Sequence, residues 1–153
     1  MSKKSSAGAR SQSRALVLQA LYQMQITGHD TRELLKQFRE RPDYERVDRD
    51  YFDELLRATS DEFEQLQSSI SELTDRPLDQ LDPVEMAVLA IGYYELESRL
   101  DVPYRAVINE AVNLTRRFGA EDGHKYVNAI LDRAAKSLRP AELDAKGRGD
   151  GAG

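Results

Sequence analysis

The stretch Asp82-Pro-Val-Glu-Met-Ala-Val-Leu-Ala-Ile-Gly-Tyr-Tyr-Glu-Leu96 decides the fold class of this chain. Its first residues favour a helix start, because Asp82 can act as N-cap, Pro83 suits the first turn and Glu85 can bond back as a capping box. The residues that follow are apolar on nearly every side of a helix. Such a helix has to be covered all round, so we expect it at the centre of a helical core.

Helical periodicity continues on both sides of this central segment. Further helices are predicted from Gln12 to about Gly28, around residues 34–38, from about Asp48 to Thr74, from Pro103 to Gly119, and from about Glu121 to Pro140. No stretch has the alternation of β-branched residues and hairpin turns that is typical of strands. The sequence therefore predicts an all-α fold, a compact bundle of two packed helical subdomains.

The two ends of the chain differ in composition from its middle. Residues 1–10 are small, polar and basic and predict a flexible basic arm, whereas residues 141–153 finish in a Gly-rich run and predict a flexible tail. Residues 11–140 form the predicted helical domain. Its N-terminal subdomain covers about 11–76 and its C-terminal subdomain about 77–140, with the boundary where a proline ends the third long helix.

The residue content indicates a binding protein rather than an enzyme. The 153-residue chain has no Cys, which excludes disulfides, thiolate zinc sites and cysteine nucleophiles. Its two histidines, His29 and His124, lack the i, i+4 spacing of a helical metal pair, and no GxSxG, P-loop or GxGxxG motif occurs. Most carboxylates fall on the outer faces of amphipathic helices, where a solvated surface is their ordinary role. We therefore expect no catalytic residue, no metal and no cofactor.

Signals of export and membrane insertion are also missing from the sequence. The first 13 residues are basic and polar, without the apolar stretch that precedes a signal cleavage site. The longest apolar run, Met86 to Ile91, is too short to span a bilayer. We expect a cytoplasmic protein with no membrane contact.

Charge is distributed unevenly along the chain. A net charge of −5 argues against nucleic-acid binding over the whole surface. Lys3, Lys4, Arg10 and Arg14, however, lie in a first segment without acidic residues. This segment has two interpretations: a solubilising tail, or a basic arm that leads into a helix whose positive N-terminal end attracts RNA phosphates.

An unusual group of side chains surrounds the predicted start of the last helix. Five polar or aromatic residues lie close together there: Asp122, His124, Lys125, Tyr126 and Asn128. An N-cap role would account for Asp122 without any function. A cationic Lys125 beside the ring of Tyr126 at a helix start also suits an unpaired RNA base, through stacking and phosphate attraction. The residues alone leave both interpretations open.

Four stretches of the chain are characteristic when they are taken together. They are Arg14-Ala-Leu-Val-Leu-Gln-Ala-Leu-Tyr-Gln23, the central segment Asp82 to Leu96, Asp101-Val-Pro-Tyr-Arg-Ala-Val-Ile-Asn-Glu-Ala111, and Phe118-Gly-Ala-Glu-Asp-Gly-His-Lys-Tyr-Val-Asn128. In order and spacing they resemble the NusB family of bacterial transcription antitermination factors. The resemblance covers nearly everything from about Arg10 to Pro140. No single motif is specific for the family, but the four motifs together are.

The resemblance implies both a fold and a function. It implies two helical subdomains and a non-catalytic factor that binds the boxA element of rRNA transcripts. It further implies a heterodimer with the ribosomal protein NusE, which joins an antitermination complex on RNA polymerase, and in some members a homodimer that covers the RNA surface. By matching position it assigns RNA binding to Arg10, Arg14, Asp122, Lys125 and Tyr126. It assigns binding of the protein partner to Tyr22 and Glu85.

This sequence departs from the family pattern in two places. Residues 11–13 separate Arg10 from Arg14, where the family arm is often a dense arginine run, and fewer neutralised phosphates should weaken the salt-dependent part of RNA affinity. Tyr126 stands where phenylalanine is common, and its ring can still stack on a base.

Two alternative functions come from other classes of protein. The first is the RNA-binding domain of an rRNA cytosine methyltransferase, since such enzymes carry a NusB-like domain. That function requires an α/β domain with a Gly-rich cofactor loop, which the sequence does not contain. The second is a purely protein-binding helical module whose basic arm is inert. Variants of Lys125 and Tyr126 that lose RNA binding but keep partner binding would exclude this module.

Overall fold

A computed structural model describes residues 7–145, and all regular structure in this range is helical. In chain order the α-helices are α1 (Ala7–Thr27), α2 (Thr31–Arg39), α3 (Arg49–Asp61), α4 (Phe63–Ser71), α5 (Pro83–Ser98), α6 (Tyr104–Phe118) and α7 (Gly123–Leu138). Short 3₁₀ helices lie at Pro42–Arg46 and Leu78–Gln80, and residues 140–145 are again helical. The prediction of an all-α fold is confirmed.

The chain divides into two compact units between Gln65 and Leu66, within α4. The division therefore lies before the predicted boundary at residues 76/77. In the first unit, α1 packs against α3, and α2 contacts both of these helices. In the second unit, α5, α6 and α7 pack against one another in all three pairs.

The first helix begins earlier than the sequence indicated. Residues 7–10, predicted as part of the flexible arm, form the first turn of α1, and residues 1–6 of that arm lie outside the described range. The reason is a tertiary anchor at Ser13, which is fully buried. Its hydroxyl donates to the carbonyl of Asp48 at 2.9 Å and accepts from the Asp48 N–H at 3.0 Å. The same N–H lies 3.3 Å from the carbonyl oxygen of Ala9. Asp48 is the N-cap of α3, so these bonds join the starts of two helices.

The third predicted helix, Asp48 to Thr74, is interrupted in the structure. α3 ends at Asp61, Glu62 has non-helical dihedral angles, and α4 begins at Phe63. Two side chains just before the break bond back to carbonyls of the preceding turn: Thr59 to Leu55 at 2.7 Å and Ser60 to Leu56 at 2.6 Å. Such back-bonding by Ser and Thr bends helices. The hydroxyl of Thr31 also lies 2.6 Å from that of Ser60, which ties the end of α3 to α2.

The central position predicted for the apolar segment is found within the second unit. Every residue of α5 from Glu85 to Gly92 is buried. Gly92 permits a close approach to α7, because a Cβ at this position would lie 2.7 Å from Cδ1 of Leu131. Among the helices of residues 7–145, α5 included, none is long and apolar enough to cross a membrane.

The start of α5 follows the expected chemistry only in part. Asp82 is the N-cap, and its carboxylate accepts a hydrogen bond from the Val84 N–H at 2.6 Å. Glu85 does not complete a capping box. Its Oε2 instead lies against Gly123 at the start of α7, where a Cβ would be 2.7 Å away. The carboxyl therefore contributes to the surroundings of the last helix rather than to the start of its own.

Two glycines end helices where the sequence predicted an end. Gly28 follows α1 with φ +78°, a conformation that side chains with a Cβ rarely adopt, and its N–H bonds to the carbonyl of Met24 at 2.8 Å. Gly119 ends α6 in an extended conformation. The restriction at Gly119 is steric, because a Cβ there would lie 2.9 Å from the carbonyl oxygen of Thr115.

The predicted tail is also partly ordered. Residues 141–145 belong to the terminal helical segment, while residues 146–153 lie outside the described range. Glu142 accounts for the order, because its carboxylate accepts hydrogen bonds from the guanidinium of Arg139 and, at 2.9 Å, from the backbone N–H of Tyr104. Helical structure therefore continues beyond the predicted limit at Pro140.

Candidate nucleic-acid interface

The two arginines predicted to bind RNA at the start of α1 differ in exposure. Arg10 is half-buried, its guanidinium lies 4.4 Å from the ring centre of Tyr51, and its Nε is 3.9 Å from Oδ2 of Asp48. Arg14 lies 5.4 Å from the same ring centre and is only 5% exposed. Arg10 therefore keeps surface for a phosphate, whereas Arg14 contributes mainly to the packing of α1 on α3. RNA contact by Arg14 stays a prediction that its burial does not favour.

The start of α7 lacks the side-chain cap that one interpretation of Asp122 predicted. Asp122 occupies the N-cap position, but its side chain makes no capping hydrogen bond. Its Oδ1 instead lies 3.7 Å from Nζ of Lys125, and both side chains are largely exposed. An ion pair this exposed contributes little to stability. Its main effect is to place a negative charge beside the lysine that the sequence assigned to RNA.

The ring of Tyr126 is held by two neighbours from the segment that follows α4. The guanidinium of Arg76 lies over the ring, 4.1 Å from its centre, and the hydroxyl of Thr74 bonds to the phenol oxygen. A base that stacks on the face of this ring covered by Arg76 would have to displace that guanidinium. Arg76 could not be recognised as a site residue from the sequence, because it lies 50 positions before Tyr126 in the chain.

Three of the predicted site residues line one acidic cavity of about 380 Å³. Glu85, Asp122 and Tyr126 lie there together with Arg76 and Glu121. Desolvation raises the pKa of Glu85, the nearby charge of Asp82 raises it further, and Arg76 opposes the rise. With three carboxyl groups and one guanidinium, this cavity is unfavourable for a phosphate. Within residues 7–145 no cluster of three His, Asp or Glu side chains could hold a metal ion.

Lys125 faces a different cavity, a groove between α6 and α7 with a volume of about 540 Å³. The lining contains two cations, a histidine and no acidic residue; its members are Asn109, Val112, Asn113, Arg116, His124, Lys125 and Asn128. The structure thus separates the residues of one short segment, with Asp122 and Tyr126 in the acidic cavity and Lys125 in the cationic groove. Of these residues the sequence singled out Asn128, His124 and Lys125, whereas Asn109, Asn113 and Arg116 share one helix face by their spacing.

An exposed apolar pair lies near the end of α1. Tyr22, predicted to bind the protein partner, is 43% exposed, and Ile26, four residues later on the same helix face, is 61% exposed. Two large apolar side chains exposed one turn apart form a small apolar patch, which suits a protein contact. Glu85, the other predicted partner residue, is only 6% exposed.

Comparison with known proteins agrees with the family suggested by the motifs. The family model described as the NusB family matches residues 11–136. The chain belongs to the NusB family. A NusB transcription antitermination protein from Marinomonas sp. (strain MWYL1) is 48% identical over 139 residues, which cover 90% of this chain and 80% of the relative. One from Paraburkholderia phymatum is 43% identical over 140 residues, which cover 92% and 97%.

Solved structures support the NusB fold. NusB from T. maritima superposes with a TM-score of 0.78 at 26% identity, covering 88% of this chain and 96% of that one. A second structure, of the antitermination factors NusB and NusE in complex with dsRNA, gives a TM-score of 0.73 at 24% identity, covering 86% and 99%. The curated NusB relatives are named for transcription antitermination, in agreement with a binding factor rather than an enzyme.

Proposed function

We propose that this NusB family member binds boxA-type RNA of rRNA transcripts together with the ribosomal protein NusE and joins an antitermination complex on RNA polymerase. Family membership over residues 11–136 is the observation that carries the proposal. The related structure that contains NusB, NusE and dsRNA adds support for both kinds of partner. This function puts the chain in the bacterial cytoplasm, where transcription takes place. A homodimer stays a prediction of the resemblance.

The RNA contacts that we propose use one half-buried and one exposed cation. Arg10 supplies positive charge at the start of α1, and Lys125 supplies it at the start of α7. Such contacts attract phosphates without reading sequence, and they weaken as salt concentration rises. Tyr126 adds an aromatic ring on which a base can stack in place of Arg76.

The protein partner is proposed to cover the end of α1. Tyr22 and Ile26 provide exposed apolar area there. Aromatic side chains that become buried on association often dominate the free energy of binding. Since NusE would add its own RNA-contacting surface, each ligand is expected to raise the affinity for the other.

The test is fluorescence anisotropy with a short boxA-type RNA and a scrambled RNA, at two salt concentrations, with and without equimolar NusE. We expect NusE to tighten binding of boxA selectively. Lys125→Ala should weaken RNA binding, whereas Lys136→Ala, which removes another exposed lysine of α7 outside both cavities, should not. Tyr22→Ala should reduce the effect of NusE while leaving RNA binding by the chain alone unchanged. Equal affinity for boxA and scrambled RNA in the presence of NusE would disprove the proposal.

A further inference from the structure

All the asparagines of this chain line one groove. The sequence contains three, Asn109, Asn113 and Asn128. The first two lie on α6 and the third on α7, and the cavity between these helices brings their side chains together. A residue type that occurs only three times in 153 residues, each time in the same groove, calls for a reason specific to that groove.

The fold does not supply this reason. All three side chains are exposed, and within residues 7–145 none of them makes a hydrogen bond or ion pair. None is a helix cap, because Pro103 precedes α6 and Asp122 precedes α7. Asparagine inside a helix is also less favourable than Glu, Gln, Lys or Arg, the residues that ordinarily occupy exposed helix positions. The amides are therefore tolerated by these helices rather than required by them.

The chemistry of the groove suits a nucleotide. An asparagine amide offers donors and an acceptor side by side, which match the edge of a base. Arg116 and Lys125 provide positive charge in the same groove, and no acidic residue lines it. A volume of about 540 Å³ is in the range of sites that hold small molecules. The acidic cavity at the same helix start, with three carboxyl groups, would repel the phosphates that this groove attracts.

We propose that the groove between α6 and α7 holds one unpaired nucleotide of the bound RNA. The amides of Asn109, Asn113 and Asn128 hydrogen-bond to the edge of its base and supply sequence selectivity. Arg116 and Lys125 bind the adjoining phosphates. This inference rests on the proposed RNA-binding function and adds to it the place where a base is read.

The experiment compares affinities for boxA-type and scrambled RNA, measured by fluorescence anisotropy in the presence of NusE. In the first variant all three asparagines are changed to Ala, which favours a helix, so the fold should be kept; circular dichroism and urea unfolding check this. We expect the boxA-to-scrambled affinity ratio to fall about tenfold or more, with little change for scrambled RNA. A second variant, Arg116→Ala, should weaken binding of both RNAs and lower the salt slope by about one.

The matched control for Arg116 is Arg117→Ala. Arg117 is also exposed and cationic, but it lies beside Phe118 and outside the groove. Arg117→Ala should leave the boxA-to-scrambled affinity ratio unaltered. It should also leave unaltered the affinities and the salt slope that Arg116→Ala lowers. A selective wild type whose triple asparagine variant keeps full selectivity would overturn the inference and leave the proposed function standing. Loss of NusE binding with intact RNA selectivity would make the groove a protein surface and also overturn it. A wild type that does not distinguish boxA at all would refute the proposed function itself.

Discussion

The buried Arg139 and the partly exposed Glu142 form a clamp that joins the end of α5 to the start of α6. Nη1 of Arg139 donates to Oε1 of Glu142 at 2.5 Å, and Oε2 of Glu142 accepts the Tyr104 N–H at 2.9 Å. The remaining guanidinium donors bond to four backbone carbonyls at 2.7–3.1 Å. Those of Glu95 and Leu96 belong to the last turn of α5, and those of Arg99 and Val102 follow it. The carbonyls of Glu95 and Arg99 also accept backbone N–H groups, so the guanidinium matters most for the carbonyls of Leu96 and Val102.

Loss of this clamp should be among the most destabilising single changes in the second unit. Arg139 is 5% exposed, and Arg139→Ala removes the side-chain donor from the carbonyls of Leu96 and Val102, so we expect the free energy of unfolding to fall by about 3 kcal/mol. Glu142→Gln keeps an acceptor and should cost about 1 kcal/mol. Urea denaturation measures both. Lys136→Ala, an exposed change on α7, is the control, and its free energy of unfolding should stay within about 0.5 kcal/mol of the wild-type value. A similarly small effect of Arg139→Ala would show that the clamp is unimportant.

Glu85 should make stability depend on pH. Desolvation and the neighbouring Asp82 raise its pKa in the folded state, so the folded chain holds this proton more tightly than the unfolded chain does. The stabilisation from this tighter proton binding is complete at pH values below the pKa that Glu85 has in the unfolded chain. It is lost as the pH rises through the higher pKa that Glu85 has in the folded chain. Glu85→Gln should therefore have the higher free energy of unfolding at pH 8, and its advantage should shrink as the pH falls towards about 4.

Urea denaturation of Glu85→Gln and wild type across this pH range tests the prediction. Glu97→Gln is the matched control, because Glu97 lies on the same helix with its side chain exposed. An advantage of Glu85→Gln that is the same at every pH would count against a role for the ionised carboxylate.

The two arginines of α1 should separate into a binding role and a packing role. Arg10 is half-buried and Arg14 is buried, although both lie over the ring of Tyr51. Arg10→Ala should weaken RNA binding and reduce its salt dependence. Arg14→Ala should lower the free energy of unfolding by about 1–3 kcal/mol, because it removes a packed side chain from the contact between α1 and α3. Anisotropy titrations and urea denaturation of both variants distinguish these effects, and a reversed pattern would contradict the assignment.

Removal of the charge of Asp122 should strengthen RNA binding. Its carboxylate lies 3.7 Å from the ammonium group of Lys125 and competes with a phosphate for that charge. Two unit charges at 4 Å in water interact by about 1 kcal/mol, so Asp122→Asn should raise affinity by up to about fivefold at low salt and by less at high salt. Asp132→Asn, an exposed change about three turns further along α7, provides the comparison. Weaker binding by Asp122→Asn would instead indicate that its carboxylate contacts the RNA directly.

Local chemistry explains why much of the helical pattern could be predicted. The N-cap at Asp82, the stop at Gly28 and the apolar stripe of α6 each depend on residues within one or two turns, which periodicity and capping rules describe. The break at Glu62 could not be predicted in the same way. It involves a hydroxyl contact between Ser60 and Thr31, which lie 29 positions apart in the chain.

The candidate site shows the same limit. Motifs named Lys125, Asp122 and Tyr126 as one group, but the structure assigns them to two cavities of opposite charge. Only the packing of α6 against α7 brings Asn109 and Asn113 to the groove that Lys125 lines. The exposure of Ile26 likewise depends on which face of α1 the other helices cover.

The sequence by itself determined the helical class, most helix limits and, through its jointly specific motifs, the NusB family. These properties follow from neighbours along the chain, where spacing and residue type act directly. The tertiary structure alone decided that Arg14 is buried, that Arg139 and Glu142 join two helix ends, and that the three asparagines meet. Burial, charge environment and proximity depend on side chains that are distant in sequence, and these quantities exist only once the helices are packed.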